Sequence, residues 1–369
     1  MHEHLHPDHA ALLAVAAGFV GDTSAVSVEA LGAGLINATY RVDAPQGSYV
    51  LQRINNAVFP EPERIMHNLS RLAALAGAHP ELGVRLPRLI PAADGAPFVR
   101  DGDGRIWRMT EYVAPSRVLG AVRTAGQAAE VGRVLGSFHR LTAELEPGAL
   151  DITLPGFHHT PGYLAALDGA LEETARGARQ EPAIAGALAF IDDRRALAGA
   201  LETALAQGLT RPRVVHGDPK IDNLLFATEA DRALCLIDLD TVQPGLIHHD
   251  IGDCLRSCCN RVGESAGGDT PVRFDLDICA GILGGYAGQM RALLGSAEVE
   301  LIETAVRLIP FELALRFLTD HLQGDRYFRV RRRGENLHKA RVQLALVADI
   351  ERQAGAISDA VARSFDAAG

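Results

Sequence analysis

The sequence contains no run of about eighteen apolar residues, the minimum for a helix that crosses a bilayer. Its opening MHEHLHPDHA has neither the positive nor the apolar region of a secretory signal, so a cytoplasmic protein with no membrane partner is expected. Cysteine is sparse. Cys235, Cys254, Cys258, Cys259 and Cys279 sit in apolar or helical surroundings without paired C-x-x-C spacing, which speaks against a disulfide framework and a structural zinc site. A surplus of basic charge is also missing: the formal net charge is -10 and the pI about 5.8, leaving no electrostatic footprint for nucleic acid. The clustered His2, His4, His6 and His9 read as an exposed polar terminus rather than a metal site.

What is present is a chain of 369 residues, 47% hydrophobic and 22% charged, long enough for two lobes of a soluble globular protein. Strand signals concentrate before residue 113 and again over 214–240. Val28 to Ile54 reads as strand, glycine turn, strand, turn, strand, followed by a helix from about Glu61 to Ala76 behind Pro60. Further strands are expected over Leu86 to Pro91, Pro97 to Arg100 and Arg105 to Tyr112. Alanine-rich helices are expected over 125–145, 183–207, 297–322 and 336–364. The expected fold is α+β and bilobal, like a protein kinase, with a small antiparallel-sheet N-lobe (1–113) and a large, mostly helical C-lobe (114–369).

The chemistry concentrates in VVHGDPKIDNLLF, Val214 to Phe226, and LCLIDLDTVQPG, Leu234 to Gly245. His216, Asp218 and Asn223 form the H-x-D-x-x-x-x-N arrangement of a kinase catalytic loop. Asp238 follows an apolar run at the exit of the next strand. In phosphoryl transfer the protein mainly positions reactants and neutralises charge. Asp218 is expected to accept the substrate hydroxyl proton as the general base. Asn223 and Asp238 offer the oxygens that suit Mg2+ on the ATP phosphates. Asp240 shares the face of Asp238 and competes for that role. His216 is expected to brace the loop, and Asp250 and Asp253 to hold it and cap the following helix. A zinc site from the adjacent His248, His249 and Asp250 is disfavoured, since neighbouring residues seldom point at one ion.

For ATP, the turn at Gly32 and Gly34 would let backbone N–H groups approach phosphate, with Asn37 and Thr39 adding donors. The third strand, YVLQRI, lacks the lysine such kinases place there. Arg53 is the candidate replacement, Gln52 the alternative if it faces the cleft, and Glu63 a candidate helix partner. Trp107 to Val113 is the natural connector between lobes, where main-chain atoms of Glu111 and Val113 would meet adenine.

These stretches resemble the aminoglycoside phosphotransferase-like kinases, HGDPKIDN and LIDLD carrying the likeness over both lobes. GAGLINATY, YVLQRINNAVFPEPERIMHNL, IDLDTVQPGL with HDIGDCLR, and RFLTDHLQGDRYF are similar to the members that phosphorylate N-acetylhexosamines at the anomeric carbon. That resemblance implies transfer of the ATP γ-phosphate to a free 2-acetamido sugar, with Arg316 as a sugar contact. Arg316 and Asp320 stand one turn apart on a helix, a spacing that fits either sugar hydroxyls or an internal ion pair. His158, with Phe157 and His159, is a further candidate for the sugar pocket. Arg329, Arg331, Arg332 and Arg333 read as a solvated turn. Competing readings are another hydroxyl acceptor, such as an aminoglycoside, choline or a modified pentose, and a nucleotide-binding protein without turnover.

Overall fold

A computed structural model describes residues 7–32, 36–263 and 271–366. The first lobe begins with helix α1 (His9–Val20), capped by the Asp8 side chain. Strands β1 (Ser27–Ala30), β2 (Ala38–Ala44) and β3 (Gly47–Arg53) follow as an antiparallel meander. After helix α2 (Pro62–Ala78) come β4 (Leu89–Ile90), β5 (Val99–Arg100) and β6 (Ile106–Glu111), giving the order β1-β2-β3-β6-β4 with β5 on β6. Period-2 alternation divides this sheet. Tyr40, Val42, Leu51, Trp107 and Met109 bury one face against Leu12, Val15, Ala16 and Phe19 of α1. The opposite face carries the cross-strand row Thr39, Gln52 and Arg108, turned toward the second lobe.

The second part opens with β7 (Ser116–Val118) and α3 (Ala125–Thr142), then α4 (Thr160–Glu173), α5 (Arg176–Arg179), α6 (Pro182–Asp192) and α7 (Ala200–Ala206). Strands β8 (Arg213–Val215), β9 (Leu224–Ala227), β10 (Ala233–Leu236) and β11 (Gln243–Gly245) carry the chemistry-bearing loops. Helices α8 (Ile247–Cys259), α9 (Leu276–Met290), α10 (Ser296–Leu322), α11 (Glu335–Arg352) and α12 (Ala354–Asp366) complete the chain. The bilobal α+β architecture is the one expected. Two expected helices are each broken. The 336–364 stretch divides at Gln353 into α11 and α12, and the 183–207 stretch is interrupted by a 3-10 turn at Arg195–Gly199.

Helix α2 is amphipathic. Pro62 opens it, and its buried Ile65, Met66, Leu69 and Leu72 join the main core with residues of α3, α8 and α9. Asn68, with no exposed surface, pins it: its Nδ2 donates to the carbonyls of Asp151 and Val242 at 2.9 Å each, and its Oδ1 accepts from the Asp151 N–H. A buried side-chain amide with three satisfied bonds fixes register as well as contributing energy. Helices α3 and α9 approach backbone to backbone. A Cβ on Gly132 would stand 1.9 Å from the Ile282 carbonyl oxygen, and one on Gly285 2.0 Å from that of Ala129.

Candidate active site

Strand β8 is wholly buried and delivers the HGD turn to the cleft between the lobes. Gly217 takes φ +88 there, and a Cβ would meet Thr241 at 2.9 Å, so the position needs glycine on two counts. Asp250, at the start of α8, holds this turn from beneath. Its two oxygens accept the N–H groups of His216 and Gly217 at 2.7 and 2.8 Å, and His139 Nε2 meets it at 2.8 Å. Burial alone would raise the Asp250 pKa, but the His139 contact and the backbone donors outweigh it and hold the carboxyl below its ordinary range. His216 Nε2 reaches the Ile237 carbonyl at 3.1 Å, tying the loop to the residue before Asp238.

Asp218 is thereby presented with one oxygen engaged. Its Oδ2 accepts from Lys220 Nζ at 2.6 Å and Asn223 Nδ2 at 3.1 Å, while Oδ1 has no partner among the described residues. An ionised carboxylate oriented by two donors and open on one oxygen is the geometry a general base requires. Lys220, held charged by Asp218 and Asp238 against the effect of burial, sits where phosphate charge would need neutralising. It is one of only two lysines in the chain, with Lys339, and that scarcity inside HGDPK was the available signal for it.

Asp238 adopts a left-handed backbone, φ 63 and ψ 56, immediately after β10, a conformation that costs a non-glycine residue about 1 kcal/mol or more. The residue is exposed as a whole, and its carboxylate has no hydrogen-bond partner among the described residues. Its depth within the surrounding protein withdraws bulk water, and Asp240 and Asp218 add repulsion, pushing its pKa up to about 7. Asn223 Oδ1 likewise has no partner among the described residues. Two open oxygens amid repelling carboxylates fit a divalent cation. Among the described residues no three His, Cys, Asp or Glu side chains converge to cage an ion alone, which suits magnesium, since it takes few protein ligands and completes its shell with water and phosphate. Asn223 and Asp238 would hold such an ion, which would supply positive charge against the phosphates. Asp240 does not compete for it: the carboxylate is buried against Arg108 and Asn37.

On the nucleotide side, Gly32 is exposed with φ +69, and Gly34 lies outside the described residues. Asn37 is held in place, since one Nδ2 hydrogen donates to Asp240 at 2.6 Å and Oδ1 accepts the Asn55 N–H, which leaves its second Nδ2 hydrogen to donate. The Thr39 hydroxyl lies on the cleft face and accepts from Gln52. Arg53 is a correction. One residue past Gln52, alternation turns it to the α1 side, where its guanidinium lies 5.9 Å from the Trp107 ring centroid. Gln52 is the residue that faces the cleft. Glu63 is a second correction, pairing with Arg100 at the surface rather than with a phosphate-site cation. In the connector, the Glu111 N–H donates to the Arg88 carbonyl, and Ser116 donates to the Val113 carbonyl. The Val113 N–H has no partner among the described residues. A separate cavity of about 690 Å³, lined in part by Arg85, Arg88, Glu130, Arg133 and Arg232, contains none of the catalytic-loop groups.

The acceptor side is built on α10. Arg316 lies among four rings, 5.4 Å from the Phe157 centroid, 5.0 Å from Tyr163, 5.8 Å from Tyr327 and 5.4 Å from Phe328. Its guanidinium has no hydrogen-bond partner among the described residues, and it lies near enough to Asp218 to feel that charge. The ion pair with Asp320 that the spacing allowed does not form. Asp320 instead accepts the N–H groups of Arg326, Tyr327 and Phe328 and the Asn336 amide, so it shapes the loop after α10 and has no oxygen to spare for substrate. His158 is likewise committed: Nδ1 meets Glu312 at 2.9 Å and Nε2 meets the Gly217 carbonyl at 2.8 Å. Both partners accept, so both ring nitrogens donate and the imidazole is charged. It braces the catalytic loop rather than reaching substrate. Glu312 also accepts from Thr160 at 2.6 Å. This lone carboxylate inside the apolar run IPFELALRF, four residues before Arg316, was the overlooked signal on that helix.

The described chain shares its fold with solved structures of small kinases. A microcompartment-associated aminopropanol kinase aligns at TM-score 0.62 and 18% identity, over 92% of this chain and 96% of the other. An aminoglycoside 2'-phosphotransferase-IIIa, solved as a GDP complex, aligns at TM-score 0.62 and 15% identity, over 94% and 100%. Choline kinase from Cryptosporidium parvum aligns at TM-score 0.60 and 12% identity, over 94% and 96%. Identities this low establish the fold and not the substrate. The family model for APH, the phosphotransferase enzyme family, matches residues 27–287, and the chain belongs to that family.

Proposed function

We propose that the protein transfers the γ-phosphate of ATP to the anomeric hydroxyl of an N-acetylhexosamine, N-acetylglucosamine or N-acetylgalactosamine, giving the sugar 1-phosphate. The observation that carries this reading is the aromatic-walled, otherwise unpartnered guanidinium of Arg316 beside Asp218. Aromatic faces stack on the C–H face of a neutral sugar, and a free guanidinium donates to hydroxyl or acetamido oxygens. Of the acidic groups around it, Glu312 is engaged by His158 and Thr160 and Asp320 by backbone, and Asp253 pairs with Arg256 through one oxygen. The similarly folded kinases named for aminopropanol, choline and an aminoglycoside take amine-bearing acceptors. An ammonium group placed beside Arg316 would meet like charge in a low-dielectric pocket.

In this reading Asp218 Oδ1 takes the hydroxyl proton, and Lys220 offsets charge on the transferring phosphoryl group. Asn223 and Asp238 hold Mg2+. Residues 1–113 bind the nucleotide through the turn around Gly32 and through the main chain at Glu111 and Val113, while 114–369 bind metal and sugar. The test is a substrate panel with Arg316→Met alongside. Sugar-dependent ADP release with a KM raised about tenfold or more in the variant, the worth of one charge-assisted hydrogen bond, is expected. Turnover with choline or kanamycin and none with either sugar would overturn the assignment.

A further inference from the structure

The cleft face of the sheet lacks a lysine, yet it does not lack a cation. Arg108 on β6 stands directly across from Gln52 on β3, in register. Gln52 Oε1 accepts from Arg108 Nε at 3.0 Å and Nη2 at 2.7 Å, so the position a lysine would occupy instead orients an arginine from the neighbouring strand. Arg108 Nη1 pairs with Asp240, whose other oxygen accepts from Asn37 at 2.6 Å. Arg108 and Asp240 are 3% and 2% exposed, and Asp240 lies two residues beyond Asp238. Arg108 is also among the charges that act on Asp238. Of the five guanidinium N–H donors, two hydrogen-bond Gln52, while Nη1 is ion-paired with Asp240 without a hydrogen-bond partner among the described residues, leaving a buried cation with donors to spare on the cleft face of the sheet.

We propose that Arg108 is the phosphate-anchoring cation of this enzyme, binding the non-transferred phosphates of the nucleotide in place of a third-strand lysine. This rests on the reading of the cleft as a nucleotide site. Gln52 fixes the plane of the guanidinium, and Asp240 is its resident counter-ion, the part a helix glutamate plays where the cation is lysine. A planar, bidentate donor is suited to a diphosphate. The arrangement explains why Asp240 is unavailable to metal and why Glu63 can be spent on Arg100 at the surface.

The experiment is nucleotide affinity by calorimetry, with MgATP, MgADP and adenosine as probes. Arg108→Lys keeps a charge to pair with Asp240 but loses the bidentate fork. It should weaken MgADP about tenfold or more, the worth of a charge-assisted hydrogen bond, with adenosine unchanged. The double variant Arg108→Met/Asp240→Asn removes the pair without leaving a lone buried charge, and should lose more. Adding Gln52→Lys should then recover MgADP affinity by returning a lysine to the third strand. Unchanged MgADP affinity in Arg108→Lys, beside a wild type that binds MgATP, overturns the inference and leaves the kinase reading standing. An equal loss of adenosine affinity, or no recovery with Gln52→Lys, marks Arg108 as a support of the sheet alone and also overturns it. A wild type that binds no nucleotide overturns both.

Discussion

Asp218 is held on one oxygen by Lys220 and Asn223 and left open on the other, which separates its role from that of Asp238, open on both. Asp218→Asn should therefore lower kcat about 10²- to 10⁴-fold, the range of a lost general base, with MgATP affinity preserved. Asp238→Ala should weaken Mg2+-dependent ATP binding as well, and steady-state kinetics with calorimetry separates the two. His158 gives a pH prediction. Burial opposes its charge, but Glu312, the Gly217 carbonyl and Asp253 raise its pKa above the ordinary 6.5. Its other neighbour, His249, stacks at 4.8 Å and is pushed down to about 3 by burial and by His158, so it stays neutral. Glu312 is buried beside that cation and Arg316, and its pKa falls from 4.5 to about 2. The stabilisation from His158 is complete below 6.5 and lost as pH rises through its raised value. That from Glu312 is complete above 4.5 and lost as pH falls toward 2. The pair thus contributes most between about pH 4.5 and 6.5, in keeping with those ordinary values. His158→Ala should cost about 3–5 kcal/mol in urea unfolding by stranding a buried carboxylate, the cost shrinking at alkaline pH; a flat difference across pH would refute the charged pair. The cluster of Asp218, Asn223 and Asp238 was legible because the spacing of these residues along the chain is local. His158 was misjudged because its partner Glu312 lies 154 residues away and is set by tertiary packing, and Asp320 because the N–H groups it accepts come from an irregular loop just beyond the helix.

Helix α10 touches both the catalytic loop and the aromatic cluster: Glu312 holds His158 on Gly217, and one turn later Arg316 stands among four rings. Movement of that helix would reach both at once. The crossing of α3 and α9 sets the other limit on the second lobe. Gly132→Ala should destabilise the protein by about 1–3 kcal/mol, the range for overpacking a tight contact, because the atom it meets is the Ile282 carbonyl oxygen and not a flexible side chain. Thermal unfolding measures it, and no change in midpoint would show that the helices do not meet this closely. The sequence revealed α10 and α3 nearly to the residue, through the helix propensity of their residues. It did not reveal the break at Gln353, where no proline stands and the nearby Gly355 falls inside the first turn of α12, and it assigned no helix to α1, whose apolar residues run nearly all round and leave little periodicity.

Across the molecule, the lobes meet through polar contacts spread over several elements. Asp240 joins Arg108 and Asn37 of the sheet lobe, and Asn68 of α2 bonds the carbonyls of Asp151 and Val242. Nucleotide bound between them stabilises the folded state by mass action, about 2.7 kcal/mol at a hundredfold excess over Kd; MgADP should raise the thermal midpoint, and Asn68→Ala should lower it. The two-lobe plan was readable from the asymmetry of strand and helix signals. The charge that replaces the lysine was not, because the pairing of β3 with β6 sets Arg108 against Gln52 across 56 residues of sequence. The central claim is tested most directly by ADP release from MgATP on adding N-acetylglucosamine or N-acetylgalactosamine, with the product read by phosphorus NMR and Asp218→Asn as control. The account predicts sugar-dependent turnover to an anomeric 1-phosphate, lowered about a hundredfold or more in the variant. Undiminished turnover in Asp218→Asn, or no turnover with either sugar, would contradict it.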